Sequence, residues 1–181
     1  MVHGGNLFRK PIRVNKAVLK RLQILDSLAP LHNPVARLAV EVCIKSFPKI
    51  PHYLVFDTYF HRTIPKLHYR YAVPVPDVRR YGFHGIVCDS VVEQLKTRGL
   101  LKRRTILCHL GSGCSVTALR DGRSIDTSMG MTPLEGLVMG TRAGDLDPGL
   151  VLHLVKKYGQ KKVFEMLSRE SGLKALTGQS D

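Results

Sequence analysis

No stretch of this 181-residue sequence is apolar for long enough to span a bilayer, and its start does not join a basic segment to a hydrophobic one as a secretory leader does. Both absences lead us to expect a cytoplasmic protein with no membrane anchor. Cysteine is sparse. Cys43, Cys88, Cys108 and Cys114 show neither C-x-x-C spacing nor a disulfide framework, so reduced thiols are expected and no protein-borne metal site is assigned. Internal repeats and low-complexity tracts are also missing. Acidic residues are few, 14 against 28 Lys and Arg, which leaves a net charge of +14. Such a balance ordinarily suggests nucleic acid or an anionic surface. No helix-turn-helix, RRM or zinc-finger pattern accompanies it, so a solvated basic surface is the preferred reading and nucleic-acid binding the lesser one. The excess is uneven: nine bases face two acids in residues 1–50, ten face four in 51–104, and nine face eight in 105–181.

What the sequence does have is a dense set of phosphate-handling features between Thr105 and Asp145. An apolar run over 105–110 breaks at Gly111-Ser112-Gly113, resumes over 114–119, and turns again at Asp121-Gly122 into 123–126, which predicts a three-stranded antiparallel meander. Glycines on both sides of Ser112 suit positive φ and would let amides point outward at an anion. A merely compact hairpin is the bland alternative, and short glycine motifs are weak signals. Thr132-Pro133-Leu134-Glu135 reads as a capping box that starts a helix running to about Met139. Arg142 then sits on a loop between Gly140 and Gly144, where a planar fork of donors can meet phosphoryl oxygens or simply face water.

Elsewhere, periodicity predicts a helix over 15–28 with Val18, Leu22 and Leu25 inward. A second helix, capped by Asn33 and opened by Pro34, is expected to bury Val35, Leu38 and Val42. A strand near 53–56 delivers Asp57 at its end, and 89–96 reads as a short helix with Val92 and Leu95 inward. Asp147-Pro148 caps a helix that stops at Gly159. A basic amphipathic segment using Val163, Phe164 and Leu167 then runs to Gly172.

Taken together, the tracts VHGG from Val2, LAPLHNP from Leu28, FDT from Phe56, RRYGFHG from Arg79, CHLG from Cys108, DTSMG from Asp126 and TPLEGLVMGTR from Thr132 resemble the acetate kinase (acetokinase) family, which includes propionate and butyrate kinases. The resemblance covers essentially the whole chain. It implies an α/β fold of the actin-like, RNase H-like type with an incomplete two-domain architecture. Residues 1–58 would be the end of a first domain and 59–181 the start of a second. The chain looks like a central piece of a longer protein, ahead of which the family carries a phosphate loop and an arginine, and after which an adenosine pocket and a glutamate.

The activity implied is reversible transfer of the ATP γ-phosphoryl group to a short carboxylate such as acetate, giving acyl phosphate and ADP, with Mg2+ arriving on the nucleotide. By analogy with the family, Asp57, His84 and Arg142 are catalytic, and His32 and Arg142 meet substrate or transition state. His109, Leu110, Gly111, Ser112 and Gly113 hold nucleotide phosphates. Partners expected are ATP or ADP, the carboxylate, and a second copy or a complementing fragment. Two departures stand out. Ile86-Val87-Cys88 replaces a Thr-Ser-His tract that would steady His84, and Ser112 replaces an asparagine. Alternatives are a non-catalytic nucleotide- or phosphate-binding remnant and a basic nucleic-acid-binding module.

Overall fold

The computed structural model describes residues 1–180. Strand β1 (Ile12–Arg13) pairs antiparallel with β2 (Tyr53–Leu54), and between them lie α1 (Lys16–Gln23), a 3-10 turn at Asp26–Leu28 and α2 (Asn33–Ser46). Helix α1 begins as its sequence predicts, because the Asn15 side chain accepts the Val18 amide at 2.9 Å. It ends earlier than residue 28, tightening into the 3-10 turn. Its predicted face nevertheless holds, with Val18, Leu22 and Leu25 buried among Phe8, Leu54 and Phe56. The rings of Phe8 and Phe56 stack at 5.0 Å.

Two expectations about α2 are overturned. Val35, Leu38 and Val42 face outward, 68 %, 60 % and 54 % exposed, so the helix does not bury that stripe. His32, not Asn33, occupies the N-cap. Asn33 lies one residue inside, fully buried, because its amide serves another purpose. Its Oδ1 accepts the His3 amide at 3.1 Å, and its Nδ2 donates to the carbonyls of His3 and Leu25 at 3.0 and 3.3 Å. That one side chain ties the 2–5 tract to the start of α2. Asn33→Ala strands buried backbone groups, so we expect a loss of about 2–4 kcal/mol and a visibly lower thermal midpoint by circular dichroism.

After β2 come a 3-10 segment at Asp57–Thr63, α3 (Lys66–Tyr69) and α4 (Gly85–Thr97), which extends the predicted 89–96 helix at its front. Strands β3 (Arg104–Leu110), β4 (Cys114–Arg120) and β5 (Arg123–Thr127) form the predicted meander in the order β3-β4-β5. Period-2 alternation sends Ser115, Thr117 and Leu119 inward. Leu107 and Leu119 pack there with Phe60, Cys88 and Val92, joining sheet, α4 and the 3-10 segment; Leu95 is half-buried. A third cluster is built from Phe83, Met129 and Met139, with Val2 packed against it.

The helix expected over 132–139 does not form. Its would-be capping residue, Glu135, turns away to an ion pair with Arg80 and a hydrogen bond from Tyr71. Gly136 follows at φ +108°, outside any helix, and exchanges hydrogen bonds with Asp145. The pattern of a capping box was present, but tertiary partners claimed its carboxylate. By contrast α5 (Pro148–Tyr158) begins at the predicted cap, where Asp147 Oδ1 accepts the Leu150 amide at 3.2 Å, and stops at Gly159. The next segment is α6 (Gln160–Glu165) running into a π turn at Met166–Glu170, with Val163 buried and Phe164 and Leu167 half-buried, and α7 (Leu173–Thr177) follows. Among the described residues no helix is long and apolar enough to cross a membrane.

Candidate active site

Three chain segments meet at the turn between β3 and β4. A Cβ placed on Gly113 would stand 2.5 Å from Arg142 Nη2 and 3.4 Å from His84 Nε2, and one on Gly111 would stand 3.3 Å from His109 Nε2. Clearance is therefore what these glycines supply. The expectation that they adopt positive φ is not met, since neither has a left-handed backbone. Nor do all turn amides face outward, because Gly111 N–H donates to the Gly113 carbonyl at 3.3 Å.

His84 caps α4 in the left-handed region, φ 59° and ψ 21°. Its Nδ1 lies 2.9 Å from Ser115 Oγ, and its ring packs on that of His109 with centroids 4.0 Å apart. Burial, with the neighbouring His109 and Arg142 adding to it, lowers the His84 pKa to about 4, so the ring is neutral at pH 7. Ile86-Val87-Cys88 brings no hydroxyl to His84, and the one beside its ring comes from Ser115 on β4. Ile86 contributes its amide instead, 3.3 Å from Asp57 Oδ1. Cys88 is buried in the core, which pushes its thiol up to about 11 and leaves it unreactive.

Asp57 opens the 3-10 segment after the extended Phe56. Burial raises its carboxyl pKa, opposed by the Ile86 amide and by the neighbouring His109 and His32. His32 is lowered by burial first and then by the Arg142 guanidinium, with Asp57 pulling the other way. Arg142 donates from Nη1 to the Pro133 carbonyl at 2.8 Å. Its loop is held by hydrogen bonds from Ala143 N to Leu167 O and from Ser171 N to Thr141 O, at 3.1 and 3.0 Å. Beside it opens a cavity of about 340 Å³ lined by His32, Pro133, Leu134, Arg142, Phe164 and Arg169 among others.

Of the residues singled out by sequence, Asp57, His32, His84, His109, Gly111, Gly113 and Arg142 converge on this place. Ser112 accompanies them and accepts the Gly140 amide at 3.4 Å through its carbonyl. Leu110 does not join with its side chain, which is 77 % exposed on the outer face of β3. Sequence reasoning missed Ser115, the Pro133 carbonyl, Phe164 and Arg169. The alternation along β4 was enough to point Ser115 inward. Nothing local announced the others, which reach the cavity from distant segments. Among the described residues no group of three or more His, Cys, Asp or Glu forms a metal cage.

The sequence matches the profile of the acetokinase family over residues 1–181. The chain belongs to that family. It is 44 % identical to acetate kinase 2 of Aliivibrio fischeri over 98 % of its own length and 47 % of that protein, and 47 % identical to acetate kinase of Deinococcus radiodurans over the same shares. Among solved structures it resembles a propionate kinase from Francisella tularensis (TM-score 0.92, 42 % identity) and acetate kinase from Entamoeba histolytica (TM-score 0.92, 38 %), in each case over 99 % of this chain and 49 % of the other. The fold is accordingly the actin-like α/β fold of these kinases. The chain spans about half the length of the curated relatives it matches.

Proposed function

We propose that this acetokinase-family chain supplies the phosphoryl-facing part of an acyl kinase, a phosphotransferase that moves the ATP γ-phosphoryl group reversibly onto acetate or another short carboxylate. The convergence of Arg142, His84 and the Gly111-Ser112-Gly113 turn carries the reading. A carboxylate is already ionised near neutral pH, so no general base is needed and catalysis rests on positioning and charge stabilisation.

Each side chain has a part suited to its surroundings. Pro133 holds one arm of the Arg142 fork and leaves Nη2 beside Gly113 for the transferring phosphoryl oxygens. In the tautomer where Ser115 donates to Nδ1, neutral His84 carries its proton on Nε2 and offers it to the same oxygens. Residues His109 to Gly113, Leu110 through its backbone, cradle the nucleotide phosphates. His32 lines the adjoining cavity with Arg142 and orients the carboxylate. Asp57 steadies Arg142 or the metal-bound phosphates. A lone carboxylate suits Mg2+ held chiefly by nucleotide and water, and such an ion would neutralise charge on the phosphates.

The division into a first domain ending at residue 58 and a second beginning at 59 belongs to this reading. It is supported by separate core clusters drawn from residues 8–56 and 60–119. So does a cytoplasmic setting, where ATP and short acids are found. A second copy of the chain or a complementing polypeptide is the macromolecular partner that belongs to this reading.

The test is hydroxamate trapping of acyl phosphate from purified protein with Mg-ATP and acetate or propionate. We expect Arg142→Ala to lower turnover by about a hundredfold or more. Turnover indifferent to that substitution would sink the assignment.

A further inference from the structure

The register of the meander sets Arg104 directly opposite Arg120, and Arg120 directly opposite Arg123. Residues opposite one another on neighbouring strands point to the same face, so three guanidinium groups stand abreast across all three strands. That face is the outer one, since all three arginines are exposed while Thr105, Leu119 and Ser124 beside them point inward or toward the core. Arg98, Lys102 and Arg103 are exposed at the same end of the sheet, where the Arg103 carbonyl accepts the Asp121 amide.

Like charges placed opposite each other across strands are destabilising. Among the described residues none of these six cations has a carboxylate within salt-bridge distance. Asp121 is the acid in the adjoining turn, and nearby Glu93 is already paired with Lys96. The row is also remote from the candidate active site. Arg104 and Leu110 are six residue steps apart along β3, about 20 Å of strand.

We propose that this arginine row is a second binding site, for the phosphodiester backbone of nucleic acid. Three arginines whose Cβ atoms stand about 5 Å apart along a row can spread their long side chains over a repeating line of phosphates rather than a single anion, and each fork can grip phosphate oxygens in pairs. The strand ends that carry it hold no aromatic side chain for stacking on bases, so the contact is to backbone and carries no sequence preference. The site is independent of the phosphotransferase reading.

Fluorescence anisotropy of labelled 20-base-pair DNA and 20-nucleotide RNA, titrated with the full 181-residue chain between 50 and 300 mM KCl, tests it. Two triple variants are compared: Arg104→Ser/Arg120→Ser/Arg123→Ser, and a control of equal charge change on α5 and α6, Lys156→Ser/Lys157→Ser/Lys161→Ser. Circular dichroism checks that both remain folded. We expect the arginine variant to weaken binding at least tenfold at 100 mM KCl and to flatten the logarithmic salt slope by about 2–3. The lysine control should stay within about threefold of the parent. Tighter binding of one probe identifies duplex or single strand as the natural source, and equal binding identifies the backbone alone. No binding of either probe by the parent, or equal losses in the two variants, overturns the proposal, the latter because diffuse charge would then explain the attraction.

Discussion

Gly85→Ala is expected to be among the most damaging single-atom additions in this chain. Gly85 opens α4 immediately after His84, and a Cβ there would overlap the carbonyl oxygen of Asp57 and lie 2.8 Å from the Phe60 Cβ. The obstructing atoms belong to the backbone and to a buried side chain, so no flexible tip can swing aside. Either the start of α4 or the Asp57 segment must move. Both carry candidate active-site groups, and both pack through Phe60, Cys88 and Val92 into the same core. We expect a loss of about 4 kcal/mol or more and failure of any phosphate binding that uses Asp57 and His84 together. Gly99→Ala provides the contrast. Gly99, unlike Gly85, has positive φ, 66°, but a Cβ there meets nothing within 4 Å, so only the backbone strain of about 1 kcal/mol applies. Thermal melts of the two variants separate steric overlap from strain, and similar midpoints would refute the packing argument.

The second large effect is on acid stability. His3 is fully buried; its Nδ1 accepts the Gly5 amide at 2.9 Å, and its Nε2 lies 3.1 Å from the Met131 carbonyl. His61 is equally buried, between Ser124 Oγ at 2.9 Å and the Phe83 carbonyl at 2.8 Å. Both rings are neutral members of hydrogen-bond networks that a second proton would break. Burial lowers the pKa of each from 6.5 to about 4. Above pH 6.5 neither the folded nor the unfolded chain holds the extra proton, and stability does not depend on it. Between 6.5 and about 4 the unfolded chain takes up protons that the folded chain refuses, so stability falls with falling pH and then levels off. The loss is about 3 kcal/mol per ring, with half-buried His84 acting in the same direction. Urea midpoints measured from pH 7.5 to 4.5 should drop steeply, and His61→Gln, though less stable at pH 7.5, should show a shallower dependence. A flat profile in the parent protein would show that the rings accept protons without loss of the fold.

His3 also explains why a short N-terminal tract matters to the rest of the chain. Val2 packs on the Phe83, Met129 and Met139 cluster, and the His3 ring meets Tyr81 and Phe83 edge-on at 4.6 and 5.4 Å. Asn33 grips the same tract from the other side. Residues more than a hundred positions apart are thereby locked together beneath the candidate active site.

Local chemistry made some elements legible. The meander followed from two glycine-marked turns between alternating runs, and α1 and α5 followed from Asn15 and Asp147, whose side chains can reach amides two or three residues ahead. Such signals need only neighbours along the chain. The capping box at Thr132 and the apolar stripe of α2 obeyed the same rules and misled, because Arg80 and Tyr71 compete for Glu135 and because no part of the described chain covers Val35, Leu38 and Val42.

By itself, then, the sequence determined the family, the meander and most residues of the candidate active site, since those rest on ordered motifs and on short-range backbone chemistry. Tertiary structure alone decided that Ser115 steadies His84, that the Pro133 carbonyl aims Arg142, that glycines at the turn give clearance rather than positive φ, and that three arginines from three strands stand in one row. Each of these depends on register or on contact between distant segments. Such contacts are selected by packing and by competition for hydrogen-bond partners, which no local stretch of residues encodes.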